Sequence, residues 1–264
     1  MSLLAVARIA SAQADTTAPK TFYTPHDGAV AAAFLGGTAL LSVFDARIAK
    51  NFKDTNYLHV RVGDRLDDIF THVNETTLTA GGIVVYAVAR ITKQRTVADV
   101  AFHVAESVAA ASLTAQVIRG PLGRARPQDA NRPFDNQYDF RFMKGFSHFQ
   151  RRAFPSIHSS SGFAAAAALT EEIRERAPGA AWWVGVPAYA LAATPGLSRM
   201  YLGQHWASDI FAGAFLGTFY GQRVVSYSHR HPTTPVDRIF LGTVKDTRVS
   251  LGPRSAELSW SLAF

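Results

Sequence analysis

The chain has no cysteine among its 264 residues, and this absence limits the chemistry open to it. Disulfide bonds, thiol nucleophiles and cysteine-ligated metals are all excluded. No Pro/Gly/Ser-rich linker and no internal repeat divides the sequence. We therefore predict one compact core rather than several domains. Seven of the nine histidines lie at no metal-ligand spacing that acidic or cysteine partners support, so the sequence predicts no metal site: His26, His59, His72, His103, His148, His229 and His231.

The charge balance is basic, with a formal net charge of +7 and a pI near 9.9. The lysines and arginines are scattered and lack the aromatic interleaving of nucleic-acid-binding modules. We therefore expect anionic lipid headgroups or phosphorylated small molecules as ligands, and no nucleic acid. The sequence indicates no obligate protein partner.

Six apolar segments predict an all-α, up-and-down bundle of six helices. They run from 28 to 49, 78 to 93, 97 to 118, 157 to 176, 180 to 197 and 205 to 227. Residues 1–27 are interpreted as a leader, 28–230 as the helical domain and 231–264 as a tail. Within the tail, alternating residues on both sides of Gly252-Pro253-Arg254-Ser255 predict a terminal β-hairpin.

One stretch places an arginine, a histidine and a carboxylate at spacings suited to phosphate chemistry. His205 and Asp209 become i,i+4 neighbours if the apolar run that follows is helical. The carboxylate would then hold one imidazole nitrogen and leave the other unprotonated, as a nucleophile or base. Arg199, six residues earlier, can offer a planar set of donors to an oxyanion.

A second cluster, Pro155-Ser156-Ile157-His158, opens an Ala-rich run that is typical of a helix start. Helix N-termini attract anions, so Ser156 Oγ and the Ile157 N–H are predicted to bind phosphate oxygens. His158 would then lie close enough to protonate a leaving alkoxide. The alternative is an N-cap serine followed by a solvated histidine.

Together with Arg119 and Arg126-Pro127, these clusters resemble the signature of the type-2 phosphatidic acid phosphatase and vanadium haloperoxidase superfamily. That signature is K-x6-RP, then PSGH, then SR-x5-H-x3-D. The resemblance implies two groups of site residues. The catalytic residues are His205, His158 and Asp209, and the phosphate-binding residues are Arg119, Arg126, Ser156, Ile157 and Arg199.

Two positions depart from the signature. Arg119 stands where lysine is usual, which keeps a cation but changes its geometry. Ile157 replaces the glycine of PSGH, and a β-branched residue cannot take a positive φ cheaply. Its N–H can still point at a phosphate from an ordinary first helical turn. The neighbouring arginines outside the signature are interpreted as solvated loop charges: Arg124, Arg132, Arg151 and Arg152.

The resemblance implies a metal-independent phosphohydrolase that acts on a phosphate monoester or diphosphate through a phosphohistidine. Candidate substrates are lipid phosphates such as phosphatidate, phosphatidylglycerol phosphate or undecaprenyl diphosphate. No cofactor is expected, because three guanidinium groups can supply the positive charge that Mg²⁺ otherwise provides. Two alternatives stay open: a vanadate-dependent haloperoxidase with His205 as the vanadate ligand, and a non-catalytic lipid-binding envelope protein.

The sequence favours a membrane-associated envelope protein with its site facing the periplasm or exterior. Residues 29–44 and 180–197 are uncharged and nearly long enough to span. The third apolar segment carries His103 and Glu106, which we expect to form a buried hydrogen-bonded pair. Residues 3–14 resemble the end of a secretory signal. The number of membrane spans stays open.

Two further features bear on packing and on the surroundings of the site. Gly213, Gly217 and Gly221 form a stripe at i,i+4 steps that would let a neighbouring helix approach closely. The long segment between Pro127 and Phe154 is rich in aromatic residues. We expect it to cap the site or to contact an acyl chain.

Overall fold

A computed structural model describes residues 21–54, 74–128, 134–231 and 234–241. These ranges contain eight α-helices and no β-strand. The helices are α1 Pro25–Ser42, α2 Asp45–Asp54, α3 Glu75–Ile91, α4 Arg95–Leu122, α5 Ile157–Arg176, α6 Ala181–Tyr201, α7 Ala207–Arg230 and α8 Pro235–Phe240. The all-α class is confirmed for this part of the chain. The count of six helices is wrong.

The count differs because the first predicted helix breaks and because a short helix follows the last one. α1 ends at Ser42, and the helix axis bends by 58° between α1 and the first part of α2. α8 is a short helix whose N-cap Thr234 accepts a hydrogen bond from the Asp237 N–H. The predicted β-hairpin, and the leader up to residue 20, lie outside the described residues.

The alternation of the long helices brings the three sequence clusters to one end of the bundle, as predicted. α4 ends at Leu122, where Gly123 takes a left-handed conformation with φ of 57° and stops the helix. α5 begins at Ile157, directly after its N-cap Ser156. α6 ends at Tyr201, and α7 begins at Ala207. Two helix C-termini and two helix N-termini therefore surround the same space.

The glycine stripe of α7 allows close packing against α5, as the sequence predicts. A Cβ on Gly213 would meet the Ser156 carbonyl, and one on Gly217 would meet the Ser160 carbonyl. With no side chain there, the α7 backbone packs directly on the first turns of α5. This contact fixes the N-terminus of α5, where His158 lies, relative to α7.

Large apolar side chains cover much of the outer surface. They are exposed on α1, α3, α4 and α6, and include Leu40, Ile83, Val88, Leu113, Val117, Trp182, Trp183 and Leu191. Among the described helices, α4 is long and apolar enough to cross a membrane, and α1 with the start of α2 qualifies if the bent pair is one span. The core helix of a soluble protein can meet the same criterion, and 44% of the apolar window of α4 is buried.

Candidate active site

His205 lies between α6 and α7, and its surroundings fix its tautomer. The side chain is 3% exposed. Its Nδ1 lies 2.7 Å from the carbonyl oxygen of Ala153. A carbonyl oxygen only accepts hydrogen bonds, so Nδ1 must carry the proton. Burial lowers the pKa of the His205 imidazole, which keeps the ring neutral. Nε2 is therefore left with a lone pair, as a nucleophile requires.

Asp209 supports His205 differently from the predicted hydrogen bond. Its Oδ2 is 3.7 Å from His205 Nδ1, which is an ion-pair distance but too long for a hydrogen bond. The same oxygen accepts the Trp206 backbone N–H at 2.7 Å. Asp209 thus completes the first turn of α7 and places a fixed negative charge beside the imidazole. The hydrogen bond that orients the ring comes from Ala153, a residue that has no side-chain chemistry and left no signal in the sequence.

Arg124 is a central buried residue of this region, and its interpretation as a solvated loop charge is wrong. The side chain is 2% exposed. Its Nη1 donates to Asp209 Oδ1 at 2.5 Å and to Ser208 Oγ at 2.8 Å, and its Nη2 donates to Asp45 Oδ2 at 2.7 Å. One guanidinium therefore joins the starts of α2 and α7. Asp45 also accepts the Ser208 backbone N–H at 2.9 Å.

The same prediction is wrong for Arg151, which is buried and pairs with Asp139 at 2.7 Å. Arg152 donates to the carbonyl oxygens of Gly145 and Phe146. Arg132 lies outside the described residues. Arg151 and Arg152 hold the loop between α4 and α5 in place, because carbonyl and carboxylate groups of that loop accept their hydrogen bonds.

His158 lies in the first turn of α5, beside the predicted phosphate-binding arginines. Its Nε2 is 3.3 Å from Arg199 Nη2. A guanidinium only donates, so Nε2 accepts and the ring is neutral. Burial, followed by the positive charge of Arg199, lowers the pKa of His158 to about 3. The solvated histidine of the alternative interpretation is therefore not what the structure shows, and an anion here would raise the pKa again.

Arg126 and Arg199 are brought together by Gln204, which sequence reasoning missed. Gln204 Oε1 accepts from Arg126 Nη1 at 3.2 Å and from Arg199 Nη1 at 2.9 Å. Arg126 also lies over the Phe149 ring, with 3.9 Å between its Cζ and the ring centroid. Burial, with Arg119 and Arg199 as further causes, lowers the pKa of Arg126 to about 10. The site therefore concentrates the positive charge of Arg119, Arg126 and Arg199.

Arg119 occupies the last turn of α4 and is 8% exposed. Its charge acts on both Arg126 and His158. The Nε atoms of Arg119 and Arg126 are buried and have no hydrogen-bond partner among the described residues. Unsatisfied buried donors are costly, and acceptor oxygens of a bound anion would satisfy them. The three predicted arginines and both histidines are thus assembled at one place.

Ser156 is fully buried and caps α5, as the alternative interpretation of this residue predicted. Its Oγ accepts the Ser159 backbone N–H at 3.4 Å and the Ser159 hydroxyl at 3.1 Å. Ile157 begins the helix in an ordinary helical conformation, so a glycine is not needed at this position. Its N–H is one of those that lack an acceptor inside the helix. The expected binding of phosphate by these two residues stays a prediction.

The loop between α4 and α5 packs beside the site through its backbone and exposes its aromatic rings. The Ala125 N–H donates to Asp139 O at 2.9 Å, and the Arg126 N–H to Gln150 O at 3.1 Å. Several of the aromatic residues are more than 45% exposed: Tyr138, Phe140, Phe142, Phe146 and Phe149. Phe134 is instead buried against Trp206 and Ala153. The arrangement forms an apolar rim next to a cationic pocket.

Comparisons with known proteins agree on one family. A model of the PAP2 superfamily matches residues 100–232, which is half of the chain and includes all three clusters. The chain is 36% identical over 70 residues to the lipid A 1-phosphatase of Porphyromonas gingivalis, a match that covers 26% of this chain and 15% of that protein. It is 30% identical over 114 residues to the lipid A 4'-phosphatase of Bacteroides thetaiotaomicron, covering 43% and 46% respectively.

A solved structure shares the fold. It is a transmembrane PAP2 type phosphatidylglycerolphosphate phosphatase from Bacillus subtilis, with a TM-score of 0.57, 17% identity, and coverage of 75% of this chain and 96% of that one. The chain matches less than half the length of the two lipid A phosphatases, so those matches establish kinship rather than substrate. On the motifs, their assembly into one pocket and the family match, this chain belongs to the PAP2 superfamily.

Proposed function

We propose that the protein is a phosphohydrolase that cleaves phosphate from a lipid phosphate monoester or diphosphate through a phosphohistidine intermediate. The observation that carries this proposal is the fixed tautomer of His205. Its Nδ1–H is held by Ala153, so that Nε2 keeps its lone pair beside three arginines and a second histidine. Such a pairing of a neutral nucleophile with concentrated positive charge suits attack on a phosphoryl group.

In the proposed reaction, Nε2 of His205 attacks phosphorus and forms an N–P bond while the bond from phosphorus to the leaving oxygen breaks. His158 donates a proton to that oxygen. A phosphoryl oxygen competes for the Arg199 guanidinium, which frees His158 Nε2 from its present contact. Water then attacks the phosphohistidine, His158 takes the proton of that water, and inorganic phosphate leaves with His205 restored. The carboxylate of Asp209 stabilises the positive charge on the His205 ring.

Arg119, Arg126 and Arg199 would bind the nonbridging oxygens and spread the negative charge of the transition state. Three guanidinium groups offer the charge and the planar donors that phosphoryl transfer needs. Gln204 holds two of them at a fixed spacing. We therefore propose that the reaction needs no metal ion.

A lipid substrate is supported by the apolar surroundings of the pocket. An open groove of about 680 Å³ runs along α1, α5 and α7 and is lined by Phe34, Phe163, Ile210, Phe211, Phe215 and Phe219, among others. Ile210 lies five residues after His205. An acyl chain could lie in this groove while its headgroup phosphate reaches the arginines. The phosphate of lipid A is the first substrate to test, since two relatives are named for it.

We propose that the protein works at a membrane of the cell envelope, with the site on the periplasmic or exterior side. Its exposed apolar helix faces and the aromatic rim suit lipid contact. The groove is partly open along α1, α5 and α7, which would let a lipid tail enter it from the side.

The direct test uses the full chain purified in detergent, with phosphate release measured on lipid A and on phosphatidylglycerol phosphate. We expect release to continue in excess EDTA and to be inhibited competitively by vanadate, which resembles the phosphoryl transition state. His205→Ala serves as the inactive control. A loss of initial rate in EDTA that Mg²⁺ or Zn²⁺ restores would contradict the mechanism. Halide oxidation with vanadate and peroxide, without phosphate release, would favour the haloperoxidase alternative.

His158 provides a prediction that depends on the leaving group. His158→Ala should lower kcat on an alkyl phosphate by about 10²- to 10⁴-fold, the usual contribution of a general acid. The loss should be much smaller for an activated aryl phosphate, whose leaving group needs no proton. An equal fall in kcat on both substrates would show that His158 is not the general acid.

The pH dependence follows from the lowered pKa of His158, about 3 in the substrate-free site. At neutral pH the His158 ring of the free enzyme is therefore neutral and its Nε2 carries no proton, so the monoanion of the substrate must bring the proton that His158 donates. The second pKa of a phosphate monoester is about 6. We expect kcat/KM for the alkyl phosphate to fall as pH rises above that value, since the monoanion becomes scarce.

A further inference from the structure

A second polar cluster lies at the opposite end of the bundle, where α4, α5, α7 and α8 meet. His103 is 16 residues before Arg119 on α4, which corresponds to about 24 Å along the helix. Glu172 is 14 residues after His158 on α5, or about 21 Å. This cluster is therefore separate from the proposed catalytic site.

The predicted pair of His103 with Glu106 is wrong, because the buried partner of His103 is Glu172. His103 Nδ1 contacts Glu172 Oε1, and His229 Nε2 lies 3.2 Å from both oxygens of Glu172. All three ligand atoms lie within 4.8 Å of one another. Zinc–nitrogen and zinc–oxygen bonds of about 2.1 Å place tetrahedral ligands about 3.4 Å apart, so small shifts would suffice.

The hydrogen bonds around His103 resemble those that orient a metal-binding histidine. Its other nitrogen, Nε2, lies 2.9 Å from Ser228 Oγ, and that hydroxyl donates to Asp237 Oδ2 at 2.5 Å. Since the hydroxyl proton goes to Asp237, Nε2 must carry a proton that it donates to Ser228. Nδ1 faces Glu172 Oε1, and a ring nitrogen in contact with a carboxylate oxygen needs either a second proton or a cation between the two atoms.

The charges of the cluster also favour a divalent cation. Three carboxylates are at most 6% exposed here, those of Asp99, Glu172 and Asp237. Arg176 faces them, with Nη1 2.9 Å from Glu172 and Nη2 3.6 Å from Asp99. Among the described residues, Arg176 is the arginine that pairs with these carboxylates, and a proton between His103 and Glu172 adds one more positive charge. One negative charge is then left over. A divalent ion in place of that proton would bring the cluster to neutrality, and buried charges require such pairing.

We propose that His103 Nδ1, Glu172 and His229 Nε2 bind a zinc-type divalent cation that links α4, α5 and α7 far from the active site. Two imidazoles and one carboxylate suit Zn²⁺ rather than Mg²⁺, which prefers oxygen ligands. Arg176 Nη1 lies 3.2 Å from His229 Nε2, so its guanidinium competes with the ion. On binding, Arg176 would shift towards Asp99. This structural ion would play no part in phosphate release.

The test is zinc binding by the tag-free full chain in detergent, after treatment with chelator. We expect one Zn²⁺ per chain by metal analysis and competition with a chromophoric indicator, and a higher Tm in zinc. His229→Ala should weaken binding by more than about 100-fold and remove the Tm increase. His231→Ala, which removes a histidine from the same helix end but outside the cluster, should change neither. Arg176→Gln should tighten binding, because it removes the competing cation.

Two results would overturn the proposal. One is no binding by the wild type at micromolar zinc, which would indicate that a proton joins His103 to Glu172. The other is equal weakening by His229→Ala and His231→Ala, which would indicate surface histidines. The readouts are affinity and Tm, so they do not depend on phosphatase activity. Chelation that lowers Tm in the wild type alone, with the initial rate of phosphate release unchanged, assigns the ion to this distal site.

Discussion

Replacement of His205 by alanine should abolish phosphate release on every substrate. The expected fall in kcat is roughly 10⁴- to 10⁶-fold, because losing the attacking atom removes the covalent route altogether. His205 is buried and its Nδ1–H is fixed by Ala153, so no neighbouring group can take its place without moving. Rapid acid quench of the wild type with radiolabelled substrate should trap an acid-labile phosphoenzyme, and the variant should show none.

The control for this experiment is His26→Ala, which removes an exposed histidine from the start of α1. It should keep both the phosphoenzyme and the rate. If the label in the wild type is acid-stable and sits on serine, or if His205→Ala keeps a near-normal rate, the nucleophile is not His205. Ser156 would then become the candidate, and its present role in capping α5 would need to change during turnover.

The sequence predicts which of its clusters meet at the site, because their meeting depends only on the order and direction of the helices. The apolar segments predicted α3 to α7 within a few residues, and the alternation of helices then placed Arg119, His158, Arg199 and His205 at one end. The glycine stripe of α7 likewise predicts close packing of a neighbouring helix, since small residues at i,i+4 steps let two helix backbones approach.

The supporting contacts could not be predicted because they join residues far apart in sequence through groups of no special type. Ala153 orients His205 through its backbone carbonyl, which any residue possesses. Gln204 acts only because the fold brings Arg126, in the loop after α4, and Arg199, in the last turn of α6, to its side-chain oxygen. His103 and Glu172 are 69 residues apart. Glu106, three residues after His103, is the partner that the sequence predicts, but the packing of α4 against α5 places Glu172 against His103 instead.

The contacts of Arg124 could not be predicted for the same reason, and they matter more for the stability of the protein. A loop arginine is usually solvated, and its sequence neighbours do not reveal that Asp45 and Asp209 lie against it. Burial of one guanidinium with two carboxylates and the Ser208 hydroxyl makes a network in which each member depends on the others. The break between α1 and α2 is part of the same arrangement, since it brings Asp45 to this arginine.

Arg124→Met should therefore destabilise the protein by about 3 to 5 kcal/mol, because it leaves two carboxylates buried without their cation. Activity should fall as well, since Asp209 would lose the contact that holds its Oδ1 and the charge beside His205 would be displaced. Arg124→Lys should recover only part of both losses, because an ammonium cannot bind both carboxylates with a planar fork. Denaturant unfolding of the detergent-solubilised protein and kcat at a permissive temperature measure the two effects separately.

The matched control is Arg141→Ala, which removes an arginine from the same loop whose side chain is 63% exposed and 3.6 Å from Asp139. Exposed pairs contribute about 0 to 1 kcal/mol, so stability and rate should hardly change. The double variant Asp45→Asn with Arg124→Met adds a sharper criterion. It removes one of the stranded charges and should be more stable than Arg124→Met alone. If instead the two losses add, Asp45 and Arg124 act independently, and the buried network does not organise the site.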